Sequence, residues 1–163
     1  INVELTDGNQ QIILATKNGL AVRFEERNVR PTGRSTQGVR GITLKDNDEV
    51  VGMVVASDEK TLLSVTENGY GKRTPISEYR LINRGGSGVI NMQCSERNGK
   101  VVSICPIADN DDVLFVSKNG IIIRVPATDI SVIGRNTQGV RVMKLEANDN
   151  VVSAVKVARD NGG

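Results

Sequence analysis

The sequence predicts an all-β protein: a propeller-like array of about three blades, each a four-stranded antiparallel sheet. Two observations carry this reading. A unit of about fifty residues recurs three times in register, and the composition suits short strands joined by tight turns. The apolar mass is almost wholly aliphatic, with two Phe, two Tyr and no Trp, while glycine is plentiful at 17 of 163 residues. No window sustains the i, i+3, i+4, i+7 apolar spacing of a helix, so strands between glycine-bearing turns fit better.

The repeat has three landmarks. Asn18-Gly19 recurs as Asn68-Gly69 and Asn119-Gly120, at spacings of 50 and 51 residues, and four residues after each glycine stands Arg23, Arg73 or Arg124. The segment Gly33-Arg34-Ser35-Thr36-Gln37-Gly38-Val39 returns as Asn83-Arg84-Gly85-Gly86-Ser87-Gly88-Val89 and as Gly134-Arg135-Asn136-Thr137-Gln138-Gly139-Val140. A Val-Val pair closes each unit at Val50-Val51, Val101-Val102 and Val151-Val152. The repeats therefore run roughly over 10–59, 60–110 and 111–158 within one domain spanning 1–163. Residues 1–9 read as the end of a preceding repeat, which implies a piece cut from a longer array.

Within each unit an apolar strand (11–16, 62–66, 113–117) leads to the Asn-Gly pair. That pair predicts a type I′ hairpin, whose two central residues both need positive φ. A second strand follows (20–24, 70–74, 121–125), then a loop carrying the Gly-Arg segment. A third strand begins at Val39, Val89 or Val140, and an acidic or polar turn leads into the Val-Val strand. Ile121-Ile122-Ile123 and much of Val50 to Val55 are apolar at consecutive positions. Both faces of such strands are expected to be covered by neighbouring sheets.

Several chemistries are excluded. Histidine, the commonest acid/base group and metal ligand, is absent. No cysteine cluster offers a zinc site, and neither GxxxxGK[ST] nor GxSxG occurs. An independent enzyme is therefore a poor reading. Cys94 and Cys105 lack CxxC spacing; a disulfide between them stays open, with buried free thiols in a reducing compartment favoured. No signal-peptide pattern and no apolar run near 18 residues occurs, so the chain as given is expected neither to be secreted nor to span a membrane.

The formal net charge is only +2, yet its distribution is uneven. Lys17 to Lys45 holds seven basic and two acidic residues, Thr66 to Lys100 six and three, and Ser117 to Lys144 five and one. Stacking in register would turn these segments into a basic stripe, the footprint of a phosphate-binding surface, with the acidic turns elsewhere. Arg23, Arg73 and Arg124 lie on the strand face opposite Leu20, Val22 and Phe24 or their equivalents. They either reach a rim or pair with a neighbouring blade's carboxylate. Arg34, Arg84 and Arg135 sit in glycine-bearing loops, where guanidinium and backbone amides can meet phosphate oxygens; the alternative is a strap between blades. Arg40 and Arg141 are rim residues at a strand start or are paired inside. Arg27, Arg30 and Arg80 are weaker loop contacts on a solvated face.

The pattern TxNGxxxR, then GRxTQGV, then an acidic turn and Val-Val, resembles the blades of the C-terminal domain of bacterial DNA gyrase A. Glu67-Asn68-Gly69-Tyr70-Gly71-Lys72-Arg73-Thr74 and Ile130 to Val140 are its most specific stretches, and the resemblance covers essentially the whole chain. It implies a β-pinwheel, a six-bladed disc whose positive perimeter wraps duplex DNA and supports negative supercoiling. Implied partners are duplex DNA, the rest of the gyrase A protein and gyrase B, in the bacterial cytoplasm at the nucleoid and without a membrane. The implied parent is an ATP-dependent topoisomerase, an isomerase. Its catalytic tyrosine lies outside this chain, Tyr70 and Tyr79 being packing residues, and no cofactor or metal is expected here. The DNA-contacting set is then Arg34, Arg84, Arg135, Arg23, Arg73, Arg124, Lys72, Arg40, Arg141 and Arg30. One departure is that the family's basic QRRGGKG box is absent, Arg84-Gly85-Gly86-Ser87-Gly88 keeping only part of it, so the chain is expected to hold later blades. The topoisomerase IV counterpart and a protein-interaction propeller are the competing readings.

Overall fold

The computed structural model describes residues 9–28, 41–45, 47–82 and 86–158. Among them eleven strands follow one another: β1 (Gln11–Thr16), β2 (Leu20–Glu25), β3 (Val50–Ala56), β4 (Thr61–Thr66), β5 (Tyr70–Pro75), β6 (Val89–Ile90), β7 (Val101–Ile107), β8 (Asp111–Ser117), β9 (Ile122–Pro126), β10 (Val140–Arg141) and β11 (Val151–Ala158). A single 3-10 turn follows the second strand of each repeat, at Glu26–Asn28, Ile76–Glu78 and Ala127–Asp129. The all-β array of the sequence reading is what forms.

The sheets, however, are not the repeats. The strand orders are β3-β1-β2-β6, β10-β5-β4-β7 and β11-β8-β9. The strand beginning at Val89 completes the sheet of the first repeat, through Ala21↔Val89, and the one beginning at Val140 completes the sheet of the second, through Gly71↔Val140. The expectation that each repeat supplies all four of its own strands is corrected: three are its own and the fourth comes from the next repeat. The corresponding start at Val39 lies outside the described residues.

The hairpin explains how this exchange is accommodated. Gly19 donates its amide to Thr16 O at 3.1 Å, Gly69 to Thr66 O at 3.1 Å and Gly120 to Ser117 O at 3.0 Å. The glycines have φ of 94°, 87° and 90°, while Asn18, Asn68 and Asn119 do not have positive φ. This is a turn followed by a left-handed glycine, the three-residue hairpin loop with a bulge, and not the expected type I′ turn. The glycine also admits the neighbour. Asn91 and Met92 donate to Gly19 O, and Val142 and Met143 donate to Gly69 O. A Cβ on Gly19 would stand 2.1 Å from Met92 O, and one on Gly69 2.3 Å from Met143 O.

Two cores fill the spaces between sheets. Ile13, Ala15, Ala21 and Val54 of the first repeat meet Leu62, Ile76, Tyr79, Met92, Val101 and Ile104 of the second. Leu63, Val65 and Ile107 turn the other way, onto Val113, Phe115, Ala127, Ile130, Met143 and Val151. Successive residues Leu62 and Leu63 thus serve opposite faces of one buried strand, which is why apolar residues stand side by side there. Each such aliphatic side chain contributes about 1.5–3 kcal/mol on burial. Within the first core Tyr79 donates its hydroxyl to Asn91 Oδ1, and Asn91 Nδ2 donates to Ser64 Oγ at 3.1 Å, so the buried polar atoms are satisfied. Cys94 and Cys105 are free thiols, half-buried.

Candidate nucleic-acid interface

Antiparallel pairing gives the array two ends. One carries the Asn-Gly hairpins together with the turns that follow β6 and β10. The other carries the 3-10 turns and the loops from β3 to β4 and from β7 to β8. At the hairpin end Arg97, Lys100, Lys118, Arg141 and Lys144 are exposed, with Glu49, Glu96 and Glu146 among them. At the opposite end the exposed charges are mostly acidic: Asp58, Glu59, Glu78, Asp109 and Asp129, with Arg27 and Arg80 among them. The acidic turns do not all lie away from the hairpins, as had been expected. Asp48 and Asp149 are buried beneath them, accepting from the amides of Asn18 at 2.9 Å and Asn119 at 3.0 Å. Burial pushes the Asp149 carboxyl up, but the Ser117 hydroxyl, the amides of Asn119 and Asn150 and the nearby Lys118 outweigh it and hold it below the usual carboxylate range.

The repeated arginines act as straps. Arg23 is 7 % exposed; its Nε donates to Gln11 Oε1 at 2.7 Å, and its Nη1 donates to Ile76 O at 3.0 Å and Tyr79 O at 3.3 Å in the next repeat. Asp58 completes the set at 2.9 Å. Arg73 repeats this one blade on. Its Nε donates to Thr61 Oγ1 at 3.0 Å, its Nη1 to Ala127 O at 3.2 Å, and its Nη2 to Asp109. Arg124 has an ion pair with Asp112 at 2.7 Å within its own hairpin, and its side chain is 50 % exposed. Of the two readings the sequence left open, the geometry is that of pairing, but each carboxylate comes from the arginine's own repeat, and for Arg23 and Arg73 the neighbouring blade supplies carbonyls instead.

Lys72 is fully buried. Its ammonium donates to the carbonyl oxygens of Gly134 at 2.9 Å, Arg135, and Thr137 at 3.3 Å, and to Thr137 Oγ1 at 2.9 Å. Burial, with Arg135 nearby, lowers its pKa to about 8. The inclusion of Arg23, Arg73 and Lys72 in the DNA-contacting set is therefore corrected, because all three side chains are buried. The first two face the next blade, and Lys72 pins the Gly-Arg loop that crosses it. Arg135 in that loop is partly exposed and donates to Glu78 O at 3.0 Å and Ile90 O at 2.8 Å. Arg141 is exposed. Arg30, Arg34, Arg40 and Arg84 lie outside the described residues.

Sequence reasoning missed Arg97 and the role of Tyr70. Arg97 Nε and Arg141 Nη2 both donate to the Tyr70 hydroxyl, at 3.1 and 3.0 Å, and their guanidinium carbons lie 5.2 and 5.3 Å from its ring centroid. A signal was present. Tyr70 stands where the other repeats have Leu20 and Ile121, and the turn that carries Arg97 is one residue longer than its counterparts. Among the described residues no group of His, Cys, Asp and Glu side chains is arranged to hold a metal ion, and no helix is long and apolar enough to cross a membrane.

Fold and site together define a β-pinwheel, a propeller-like array whose blades exchange strands, with a cationic hairpin end. The family described as DNA gyrase C-terminal domain, beta-propeller, matches residues 10–57, 60–106 and 111–158. The chain belongs to that family. It is 48 % identical over 155 residues, 94 % of its length, to the DNA gyrase A subunit of Haloquadratum walsbyi, and 47 % identical over 163 residues to that of Staphylococcus epidermidis. It spans 18 % of the length of each of these relatives. A solved structure of a DNA gyrase A C-terminal domain superposes with a TM-score of 0.85 at 36 % identity, covering 91 % of this chain and 50 % of that one. The C-terminal domain of a DNA topoisomerase IV superposes with a TM-score of 0.89 at 28 % identity, covering 96 % of this chain and 49 % of that one.

Proposed function

We propose that this chain binds duplex DNA without sequence preference and bends it, as part of a gyrase A protein. It acts there with the remainder of gyrase A and with gyrase B to support negative supercoiling. The observation that carries the reading is the polarity of the array: at the hairpin end exposed Arg97, Lys100, Lys118, Arg141 and Lys144 outnumber the exposed Glu49, Glu96 and Glu146, whereas at the opposite end acids predominate. Phosphates approaching the array are attracted to one end and repelled from the other. No element of the described residues has the form of a base reader, so any preference comes from deformability. Bending a short site takes roughly 1–6 kcal/mol, which several phosphate contacts must exceed. Arg135 and Arg141 remain in the proposed contact set, and Arg30, Arg34, Arg40 and Arg84 stay in it on their sequence positions. The bacterial cytoplasm is the compartment this reading assigns.

The test is the affinity for a random-sequence duplex across a salt series. Counterion release predicts a linear fall of log affinity with log salt, with a slope of about −0.9 per phosphate neutralised. An affinity independent of salt contradicts the reading.

A further inference from the structure

We propose that Tyr70 positions Arg97 and Arg141 as a paired clamp for one phosphate of the duplex backbone. The inference rests on the reading that the chain binds duplex DNA and adds a specific subsite to it. Three segments converge there. Tyr70 begins β5, Arg141 is its partner across the β5–β10 pair, and Arg97 comes from the turn between β6 and β7. Because both guanidiniums donate to one phenol oxygen, the two donor nitrogens lie within about 6 Å of each other. The tyrosine is 5 % exposed while both arginines are exposed, so the cations are held from below and open to solvent above.

The charge arrangement points to an anion. Arg23, Arg73 and Arg124 each have a carboxylate partner. Among the described residues Arg97 and Arg141 have none; a neutral hydroxyl and a ring face hold them instead. A guanidinium has five N–H donors, and the phenol takes one from each. Two like charges held this close favour a ligand that carries negative charge on several oxygens, and phosphate oxygens fit the guanidinium fork. Neither Leu20 nor Ile121 has a hydroxyl for the same work, so the clamp belongs to the second sheet, to which the third repeat contributes Arg141.

The test uses the full chain, a random-sequence DNA duplex as probe, and the variants Arg97→Ala, Arg141→Ala, the double variant, and Tyr70→Phe. Each single arginine variant is expected to lose about tenfold in affinity and to flatten the salt slope by about 0.9. The double variant loses little more, because the two arginines share one phosphate. Tyr70→Phe keeps the ring and removes the anchor, and is expected to fall between wild type and the arginine variants. A spectroscopic readout is independent of affinity. The hydrogen bonds from Arg141 and Arg97 hold the Tyr70 hydroxyl below its usual range and burial holds Tyr79 above its own, so the only two tyrosines titrate apart. Duplex in the clamp draws the guanidiniums toward phosphate and raises the lower phenolate midpoint. Steep salt dependence in wild type, with affinity and slope unchanged in the arginine variants, overturns the clamp. So does a phenolate midpoint that duplex leaves in place, or a loss of thermal stability without a change in slope. If wild type fails to bind duplex at all, the functional reading itself falls and the clamp with it.

Discussion

The second and third repeats share a sequence pattern but differ in what surrounds them. Gly69 lies against Met143 O, whereas a Cβ on Gly120 would meet nothing within 4 Å. Arg73 is 3 % exposed and reaches into the third repeat, whereas the side chain of Arg124 is half exposed and bonded within its own hairpin. The second sheet has four strands and the third has three, with Ile122 62 % exposed on its edge strand. The same residues thus have different energetic weight according to whether another of the described repeats packs against them. The recurring glycine and arginine serve the junction between blades more than the blade itself.

Substitution at paired positions sharpens this comparison. Gly69→Ala must displace the β10 segment and strain a left-handed position, and is expected to lose about 3 kcal/mol in denaturant unfolding. Gly120→Ala meets only the conformational term, about 1 kcal/mol. Equal losses would break the junction account. Next in size, Arg73→Ala leaves buried acceptors at Ala127 and Thr61 without their donor and is expected to lose about 2–3 kcal/mol, against about 0.5 kcal/mol for Arg124→Ala. Thermal melting of the two variants side by side reads the difference.

Lys72→Met removes the donor from the carbonyls of Gly134 and Arg135, and is expected to lose about 1–2 kcal/mol near neutral pH. Its pH signature is more specific. With a folded pKa of about 8, below the ordinary lysine value of 10.5, the folded state releases its proton first. Between those values the unfolded chain binds more protons, so wild-type stability gains a rising contribution across that window. That contribution is absent in Lys72→Met. The smallest effect is expected at Asp149. Its folded pKa is lowered, so its contribution is present above the ordinary carboxylate range and is lost as pH falls through the folded value. Asp149→Asn should flatten the acid limb of a stability-versus-pH curve.

Most of the fold was legible because Asn-Gly, Gly-Arg and Val-Val recur together, and three markers in register are hard to satisfy otherwise. Which sheet each strand joins was not. A repeat is periodic whether its third strand pairs with its own hairpin or the previous one, and Val89 reads the same either way. The arginines stayed open between two readings for a related reason. Alternation places Arg23 and Arg73 on the face opposite Val22 and Lys72, but parity does not say whether that face meets solvent or another blade. Lys72 was misplaced because a lysine is rarely buried, and three of its four acceptors are backbone carbonyls, which no side-chain pattern advertises. Tyr70 and Arg97 were legible in principle, as two departures from the repeat falling in one blade.

The central claim is that the hairpin end, and not its opposite, faces the duplex. Charge reversal compares the two ends directly: Arg97, Arg141 and Lys144 to Glu in one variant, Arg27, Lys60 and Arg80 to Glu in another, each titrated with the same duplex at two salt concentrations. The account predicts that the first variant loses most of its binding and its salt dependence while the second stays near wild type. Equal losses in both, or loss only in the second, would contradict it.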